Sequence, residues 1–357
     1  MTESEKNTER CFQKIFLPQY TFGPVDIREG NKRRELCDCL IETSNCYVVI
    51  QIKERNKSCS SSDGQSTWFQ NKVLRIAMKQ TKRAISDLEN ENISFYSNGI
   101  EIIIDRTKDI LPVIVFYNDY LVNYDKLYYS KTLNRSINIF NRVDYQTMLD
   151  TVKVPIDIVS YLKCRINLIS KDGGKRLIVD DSLIALCKSE EEFAKYYLKR
   201  TYYDYDISLK KIVLFNEILA DLSKSFNHKR NALIETLLML NTPEIVKVTE
   251  IYAKIVENIY NPKIAKPKLL SNGKEGIVFI RHPNGMPDTE FKNFLYDMCA
   301  YYTYVAKLEV CNAIIFEPSG NEHFIIKGAV SKCNHSEYND DLEVVKIVDS
   351  VLWEAEY

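Results

Sequence analysis

The pattern of apolar and polar positions predicts a β-hairpin near the amino terminus. Two apolar runs, 35–41 (ELCDCLI) and 46–54 (CYVVIQIKE), are joined by the polar segment ETSN, which is typical of a hairpin connection. Side chains two apart on a strand share a face, so Gln51 and Lys53 project together on the same side as Tyr47. The second strand therefore starts apolar and finishes with two polar groups on one face. Such an end is either an ordinary solvated strand end or half of an active site.

The sequence from 67 to 88 has a helical period, with Ser66 or Thr67 as the expected N-cap. At 100° per residue, its cations fall within an arc of about 100° and its apolar residues gather opposite. No Asp or Glu interrupts 67–86, although i,i+4 pairing would usually invite some. This pattern predicts a helix with a packed face and a basic face, the basic face consisting of Lys72, Arg75, Lys79, Lys82 and Arg83.

The basic face has two interpretations. It either contacts a phosphate backbone, with salt-sensitive and largely sequence-independent affinity, or it is a solvated helix surface. Under the first interpretation, Lys32, Arg33 and Arg34 extend the same surface.

Other periodic segments complete the predicted α/β architecture. In the first part we expect a helix over 4–16, an Asn-Gly hairpin within 94–106, strands at 111–119 and 136–141, and helical residues 143–169 broken near Pro155. Helical patterns dominate 189–260, and a Pro- and Lys-containing connector leads to a small α/β part. That part has predicted strands at 276–282, 312–318 and 323–330, and predicted helices at 289–307 and 341–353. We assign two domains, 1–180 and 181–357.

Composition narrows the class of protein. Of the 357 residues, 45% are hydrophobic and 27% charged, and no apolar run reaches the roughly 18 residues of a membrane span, so we expect no membrane role. The start MTESEKNTERCFQKIF lacks the features of a secretory signal, which favours a cytoplasmic location.

The ten cysteines are scattered, many within apolar runs such as those around Cys46, Cys164, Cys187 and Cys299, and are expected to be reduced, buried thiols. A net charge of −1 excludes a generally basic nucleic-acid coat but allows a local basic patch.

The hairpin carries a set of side chains with a specific chemical use. Asp38 can bind a hard divalent cation through its carboxylate, and Gln51 can add a carbonyl oxygen. A bound metal lowers the pKa of its water and neutralises charge on phosphoryl oxygens. Lys53 beside it can orient that water and stabilise the charge that develops in the transition state.

Asp38 in ELCDCLI and Gln51-Ile52-Lys53 in VVIQIKER resemble the core of the PD-(D/E)XK nuclease superfamily, with twelve residues between Asp38 and Gln51. In that superfamily an Asp on one strand accompanies an acidic-x-Lys motif on the next, and the match covers roughly the first 120 to 170 residues. The resemblance implies a restriction-endonuclease-like α/β domain with a mixed sheet, followed by a mainly helical region and a small α/β part. It also implies a Mg²⁺ or Mn²⁺ site at Asp38, Gln51 and the backbone carbonyl of Ile52.

Gln51 departs from the superfamily pattern, which more often has Glu or Asp at this position. Glutamine there is similar to the variant found in Mrr-like restriction endonucleases. It removes one anionic ligand, and Glu35 is the candidate acid that compensates for it. The helix that follows the site in this superfamily supplies phosphate-contacting or site-facing polar groups, a role that the resemblance gives to Lys72 and Gln80.

These features predict a metal-dependent nuclease, a hydrolase acting on DNA in preference to RNA. The resemblance suggests microbial, antiviral defence as its setting, with the second domain binding substrate, a protein partner or another copy. The rival is a catalytically inactive nuclease-fold protein that binds nucleic acid or assembles with partner proteins. In a third interpretation, VVIQIKER is an ordinary strand of an unrelated α/β protein.

Weaker candidates for a site are Cys333 with His335 as zinc ligands, and Arg281 with His282 at a strand end. Neither a phosphate-binding glycine loop nor a Gly-x-Ser-x-Gly elbow is present.

Overall fold

The computed structural model divides the chain into two compact units, Met1–Tyr205 and Asp206–Tyr357. It describes every residue except 1, 30–31, 56–61, 119, 122, 170–176, 179–185, 188, 203–204, 226–229, 258–267, 273–274, 283–284, 320–322, 334–346 and 357.

The first unit is built on a mixed sheet that has six strands in the described part of the chain. Strands β5 (Cys46–Glu54) and β8 (Asp109–Tyr117) run parallel, as do β8 and β10 (Arg135–Asn141), whereas the outer pairs are antiparallel. The predicted α/β class with a mixed sheet is therefore confirmed. In spatial order the strands are β1 (Thr21–Phe22), β4 (Cys39–Glu42), β5 (Cys46–Glu54), β8 (Asp109–Tyr117), β10 (Arg135–Asn141) and β9 (Leu127–Ser130).

A second, smaller sheet stands beside it, with every described neighbouring pair antiparallel. Its order is β3 (Lys32–Cys37), β2 (Val25–Glu29), β6 (Ser94–Ser97) and β7 (Ile100–Ile102). The first unit also contains a short antiparallel pair, β11 (Leu177–Ile178) with β12 (Leu186–Cys187). The predicted Asn-Gly turn joins β6 to β7, because Asn98 and Gly99 both take the positive φ angles that such a turn requires.

The prediction that 35–41 forms one strand was wrong. Asp38 separates β3, which belongs to the small sheet, from β4, which belongs to the central sheet. The interruption has a local cause. The Asp38 carboxylate accepts a hydrogen bond from the backbone N–H of Ile52, so the Asp38 side chain binds to the backbone of β5 at the point where β3 ends. Leu36, Cys37 and Leu40, on either side of Asp38, belong to one buried apolar cluster, and the sequence pattern therefore ran across the break.

The helical stretch predicted over 67–88 is confirmed, but it begins earlier than expected. It runs through α2 (Ser62–Trp68), a π-helical segment (Phe69–Ala77) and α3 (Met78–Leu88), so Ser66 and Thr67 lie inside the helix and are not N-caps. Gln65 explains the early start, because this buried side chain is bound to groups at the ends of β5 and β8. Extended π-helical geometry is rare and is often found at functional sites.

The central sheet is covered on both faces. Phe116, Ile137 and Ile139 lie on one face and pack with Phe69 and other apolar residues of the π-helical segment. The residues that alternate with these along each strand face the other side of the sheet. Tyr117 contacts α1 (Glu3–Phe16) through Thr8, and Asn138 contacts α5 (Pro155–Ile169). Lys53, aligned with Phe116 in the β5–β8 register, therefore shares the face of the sheet that α2, the π-helical segment and α3 cover.

Other helices of the first unit enclose a buried polar network. They are α4 (Arg142–Val152) and α6 (Glu190–Thr201), together with α5, which begins at Pro155 as predicted. Arg165 of α5 is fully buried, pairs with Glu190 at 2.9 Å and donates to the Asn138 side chain at 3.0 Å. The ion pair therefore ties α5 and α6 to β10.

The second unit combines helices with a sheet. The predicted helices are confirmed as α7 (Tyr205–Ser225), α8 (Ala232–Leu238), α9 (Thr242–Glu257) and α10 (Asp288–Ala306). The described sheet has the order β13 (Lys268–Asn272), β14 (Glu275–Arg281), β15 (Val310–Ser319), β16 (His323–Cys333) and β17 (Ile347–Glu356), with only β14 and β15 parallel among its neighbouring pairs.

The helix predicted at 341–353 was wrong wherever the structure describes that segment. Residues from Ile347 onward form β17 and pair antiparallel with β16. This segment is rich in β-branched and aromatic residues, and a free edge on β16 provides hydrogen-bond partners for its backbone. Residues 341–346 lie outside the described part of the chain.

The cysteine prediction is confirmed at Cys46 and Cys299, which are buried free thiols, whereas Cys164 is a partly exposed one. The side chain of Cys187 lies outside the described residues.

Candidate active site

Asp38 is held at the junction of the two sheets by its own backbone and by β5. Its amide N–H donates to the carbonyl of Ile50 at 3.2 Å, and its Oδ2 accepts the amide N–H of Ile52 at 2.6 Å. The side chain is buried, with only 6% of the residue exposed. The carboxylate therefore has a fixed position beside the last residues of β5.

Lys53 lies next to Asp38 at the carboxyl end of β5. Its Nζ is 3.8 Å from Oδ2 of Asp38 and donates to the carbonyl oxygen of Ile52 at 2.6 Å. The Lys53 side chain is 16% exposed, so the ammonium is largely shielded but can still be reached from solvent. The structure thus brings together the acid and the lysine that the sequence pairs across a hairpin.

Glu35 is the second carboxyl group of the site. It precedes Asp38 on β3 and shares a hydrogen bond with the Asp38 side chain. Burial raises the pKa of Asp38 to about 7; the positive charge of Lys53 opposes this rise, and the Glu35 hydrogen bond reinforces it. Near neutral pH the Asp38 carboxyl is therefore partly protonated, unlike an ordinary solvated aspartate.

Gln51 is almost completely buried, with 1% of the residue exposed. Its Nε2 donates to the carbonyl of Leu36 at 3.0 Å, which fixes the side chain against β3 and leaves its Oε1 as the acceptor. A glutamate here would meet the Leu36 carbonyl with an acceptor instead of a donor. The Gln51 amide thus suits its local hydrogen-bond partner.

The site offers part of the ligand set that a divalent cation requires. The described residues contain no group of three or more His, Cys, Asp or Glu side chains that could enclose a metal. Mg²⁺, however, is commonly held by one or two carboxylates together with water and substrate phosphates, and Glu35 with Asp38 matches that donor set. The Ile52 carbonyl holds the Lys53 ammonium, so it becomes a ligand only if Lys53 turns away.

The predicted basic face is exposed. Lys72, Arg75, Lys79, Gln80 and Arg83 face solvent, and Lys82 is half-buried with its ammonium 5.9 Å from the centre of the Tyr128 ring. Among the described residues, none of these cations has a carboxylate partner within 4 Å. The face therefore retains its full positive charge.

Two residues that the sequence adds to this surface are engaged elsewhere. Arg34 forms a two-pronged ion pair with Asp87 of α3, at 2.6 and 2.8 Å. Arg33 pairs with Asp26 on the neighbouring strand. The side chain of Lys32 lies outside the described residues. Arg33 and Arg34 are thus held by acids, unlike the cations of the helix.

A polar cluster that sequence reasoning missed lies just past Lys53. Gln65, buried at the start of α2, accepts hydrogen bonds from Arg55 at 2.7 Å and from Asn118 at 2.8 Å. Arg55 also donates to the Gly64 carbonyl at 2.9 Å. The available signal was an arginine two residues beyond Lys53, followed by a polar segment that composition favours as loop.

Other candidate groups lie away from this cluster. A concave region of about 560 Å³, lined in part by Tyr47, Lys108 and Arg135, lies at the opposite end of β5 from Lys53. In the second unit, Arg281 and His282 are buried at the end of β14. His335, the partner proposed for Cys333, lies outside the described residues.

Comparisons with known proteins add no assignment to these groups: neither the protein-family models nor the curated proteins include a match to this chain. Within the described residues, no helix combines the length and apolar character needed to cross a membrane.

Proposed function

We propose that the chain is a divalent-metal-dependent nuclease that hydrolyses phosphodiester bonds, with DNA as its substrate. The observation that carries the proposal is the juxtaposition of Asp38 and Lys53, 3.8 Å apart at the carboxyl end of a parallel strand. In open α/β sheets, ligands commonly bind beyond the carboxyl ends of the strands. The resemblance to the PD-(D/E)XK superfamily supports the reaction type, the choice of DNA and a role in defence against foreign DNA.

Each side chain has a role that its chemistry permits. Lys53, largely shielded and close to solvent, donates to the attacking water or to a phosphoryl oxygen and stabilises charge in the transition state. Asp38 and Glu35 are the residues that would hold Mg²⁺ or Mn²⁺, a cation that commonly completes its ligand set with water and substrate phosphates. Gln51 would be an accessory oxygen ligand, and its amide N–H bond to the Leu36 carbonyl links β3 to β5.

The cation supplies Lewis acidity and a lowered pKa for the attacking water. The protein holds both charged side chains of the site in place before substrate binds. The Asp38 carboxylate is fixed by the Ile52 N–H, and the Lys53 ammonium is fixed by the Ile52 carbonyl. Displacement of that ammonium by substrate or cation frees both the carbonyl and the lysine. Lys53 can then turn towards the phosphate.

The exposed basic face supports a polyanionic substrate. Lys72, Arg75 and Lys79 have no carboxylate partner among the described residues, and the helix that carries them covers the same face of the sheet as Lys53. Contacts from such cations to a phosphate backbone position the substrate without reading its sequence.

The proposal is tested by incubating the purified chain with plasmid, linear and single-stranded DNA and with RNA, in Mg²⁺ or Mn²⁺ and in EDTA. We expect cleavage of DNA that requires the cation and is lost in Asp38→Ala and Lys53→Ala. Lys163→Ala is the control, since this exposed lysine pairs with Asp109 at the opposite end of β8. Cleavage that persists in EDTA, or in both site variants, would exclude this mechanism.

A second function, binding of nucleic acid without cleavage, is favoured by one observation. Gln51 is neutral and its amide is committed to the Leu36 carbonyl, so the site has one acid fewer than the superfamily pattern. Under this reading the chain binds DNA equally well in EDTA, Asp38→Ala leaves binding unchanged or tighter, and Arg75→Ala weakens it.

A further inference from the structure

We infer that Arg55 is a phosphate-binding residue that engages the phosphodiester next to the one held by Lys53. The inference rests on the proposed function and deepens it, because it assigns to the substrate backbone a second cation at the carboxyl end of β5.

The position of Arg55 follows from the strand ladder. Its amide N–H donates to the carbonyl of Tyr117 at 3.0 Å, which continues the pairing of β5 with β8 one residue past Glu54. Arg55 comes two residues after Lys53, so the two side chains project on the same side, about 6.6 Å apart along the strand. The contacts of Arg55 with Gly64 and Gln65 of α2 agree with this orientation, because α2 covers the face of the sheet that carries Lys53.

The Arg55 guanidinium is held in place before any ligand binds. Its Nη1 donates to the Gly64 carbonyl at 2.9 Å and to Oε1 of Gln65 at 2.7 Å, and its Cζ lies 5.9 Å from the centre of the Trp68 ring. Gln65 is itself fixed, because it is buried and accepts a hydrogen bond from Asn118. An arginine oriented in this way loses little side-chain freedom on binding an anion.

All the acceptors that hold Arg55 are neutral. Two other buried or half-buried arginines of the first unit are each paired with an acid, Arg34 with Asp87 and Arg165 with Glu190. Within the described residues Arg55 has no carboxylate within 4 Å, and its Nε and Nη2 make no hydrogen bond. Those two groups form the planar fork that matches two oxygens of a phosphate.

The binding test uses a fluorescein-labelled DNA duplex in EDTA, with affinity measured by anisotropy over a range of salt concentrations. Arg55→Ala is expected to weaken binding by about tenfold to a hundredfold and to lower the salt slope by about one. Lys163→Ala, which removes a cation at the far end of the sheet, is the control and should bind like the native chain.

Gln65→Glu separates a ligand-binding role from a structural one. The glutamate keeps the shape and the acceptor that hold Arg55 but neutralises its charge, so a merely structural Arg55 would be unaffected or more firmly held. We expect this variant to keep a cooperative melting transition and to bind DNA about tenfold more weakly than the native chain.

The outcomes distinguish this inference from the proposed function. Native affinity in both Arg55→Ala and Gln65→Glu overturns the role of Arg55, even if the native chain cleaves DNA. Weakened binding in both variants of a chain that never cleaves supports the role of Arg55 and rejects the nuclease. A native chain without salt-sensitive binding to DNA counts against both.

Discussion

The ammonium of Lys53 lies 3.8 Å from the carboxylate of Asp38, although Asp38 lies at the break between β3 and β4 and Lys53 lies near the end of β5. The chain achieves this by ending β3 at Cys37 and starting β4 at Cys39, with the Asp38 side chain turned onto the backbone of β5. This geometry makes Lys53 the group whose removal should affect chemistry more than folding.

Lys53→Met tests that expectation, because methionine preserves much of the length and apolar packing of the side chain but removes its charge. We expect the single-turnover rate of DNA cleavage to fall by about a hundredfold to a thousandfold, as for the loss of a transition-state donor. Lys108→Met is a matched control: Lys108 is similarly shielded and pairs with Glu42 at 2.7 Å, at the other end of the sheet. Equal losses of rate in the two variants would point to a general effect on folding.

The exposed basic face should contribute to binding through charge alone. Arg75→Ala and Lys79→Ala are each expected to weaken DNA binding and to lower the slope of log affinity against log salt by about one, without a change in melting temperature. Lys195→Ala is the control, since this exposed lysine on α6 already pairs with Glu191. Salt slopes that do not change in the Arg75 and Lys79 variants would mean that the face is only solvated.

Arg34 should contribute to stability and not to DNA binding. Its two hydrogen bonds to Asp87 join β3 of the small sheet to α3. Arg34→Leu is therefore expected to lower the free energy of unfolding by about 1–3 kcal/mol in urea titrations, because Asp87 loses a charged partner. Arg33→Leu, which removes the more exposed pairing with Asp26, should change stability little. A reduced salt slope of DNA binding in Arg34→Leu would contradict this assignment.

The residues just discussed show what the sequence could and could not predict. Asp38 and Lys53 were predictable because a polar side chain that interrupts or ends an apolar strand is visible without knowledge of the fold. The pairing of Arg34 with Asp87 was not, since it joins residues 53 positions apart that only the packing of the small sheet on α3 brings together.

The helix start and the last strand were missed for related physical reasons. The segment before Thr67 has the composition of a loop, and it is helical where tertiary hydrogen bonds from Arg55 and Asn118 hold Gln65. Similarly, the apolar spacing near Ile347 fits a helix, but the segment is a strand because it pairs with β16. Periodicity reports local preference, and in both places a partner distant in sequence decides the outcome.

The buried ion pair of Arg165 and Glu190 should be costly to break. Both side chains are fully buried, and Glu190 also accepts a hydrogen bond from Tyr161 at 2.5 Å. Arg165→Met would leave the buried Glu190 carboxylate with Lys126, 3.7 Å away, as its one remaining cationic partner among the described residues, and we expect a loss of about 3–5 kcal/mol in the free energy of unfolding. The double variant with Glu190→Met should recover part of that loss. If it is no more stable than Arg165→Met, the uncompensated charge is not the cause.

Asp38 should reduce stability at neutral pH, a cost that is typical of a functional carboxylate. Burial and Glu35 raise its pKa in the folded state to about 7, so between pH 4 and 7 the folded chain binds more protons than the unfolded one. Its contribution to stability therefore falls as pH rises through that window. Asp38→Asn keeps an oxygen that can accept the Ile52 N–H but cannot ionise, and it should escape this loss.

Denaturation with urea in EDTA, at several pH values, measures this effect. The two chains should be similarly stable near pH 4, and Asp38→Asn should become the more stable one as pH rises to 8. A rise from 3.8 to about 7, at about 1.4 kcal/mol per pH unit, gives an upper limit of about 4 kcal/mol for the difference. Asp105→Asn is the control of opposite sign, because hydrogen bonds from Thr107 lower the pKa of Asp105 and its charge stabilises the fold at higher pH. If the stability difference between Asp38→Asn and the native chain does not vary with pH, the pKa of Asp38 is not raised in the folded state.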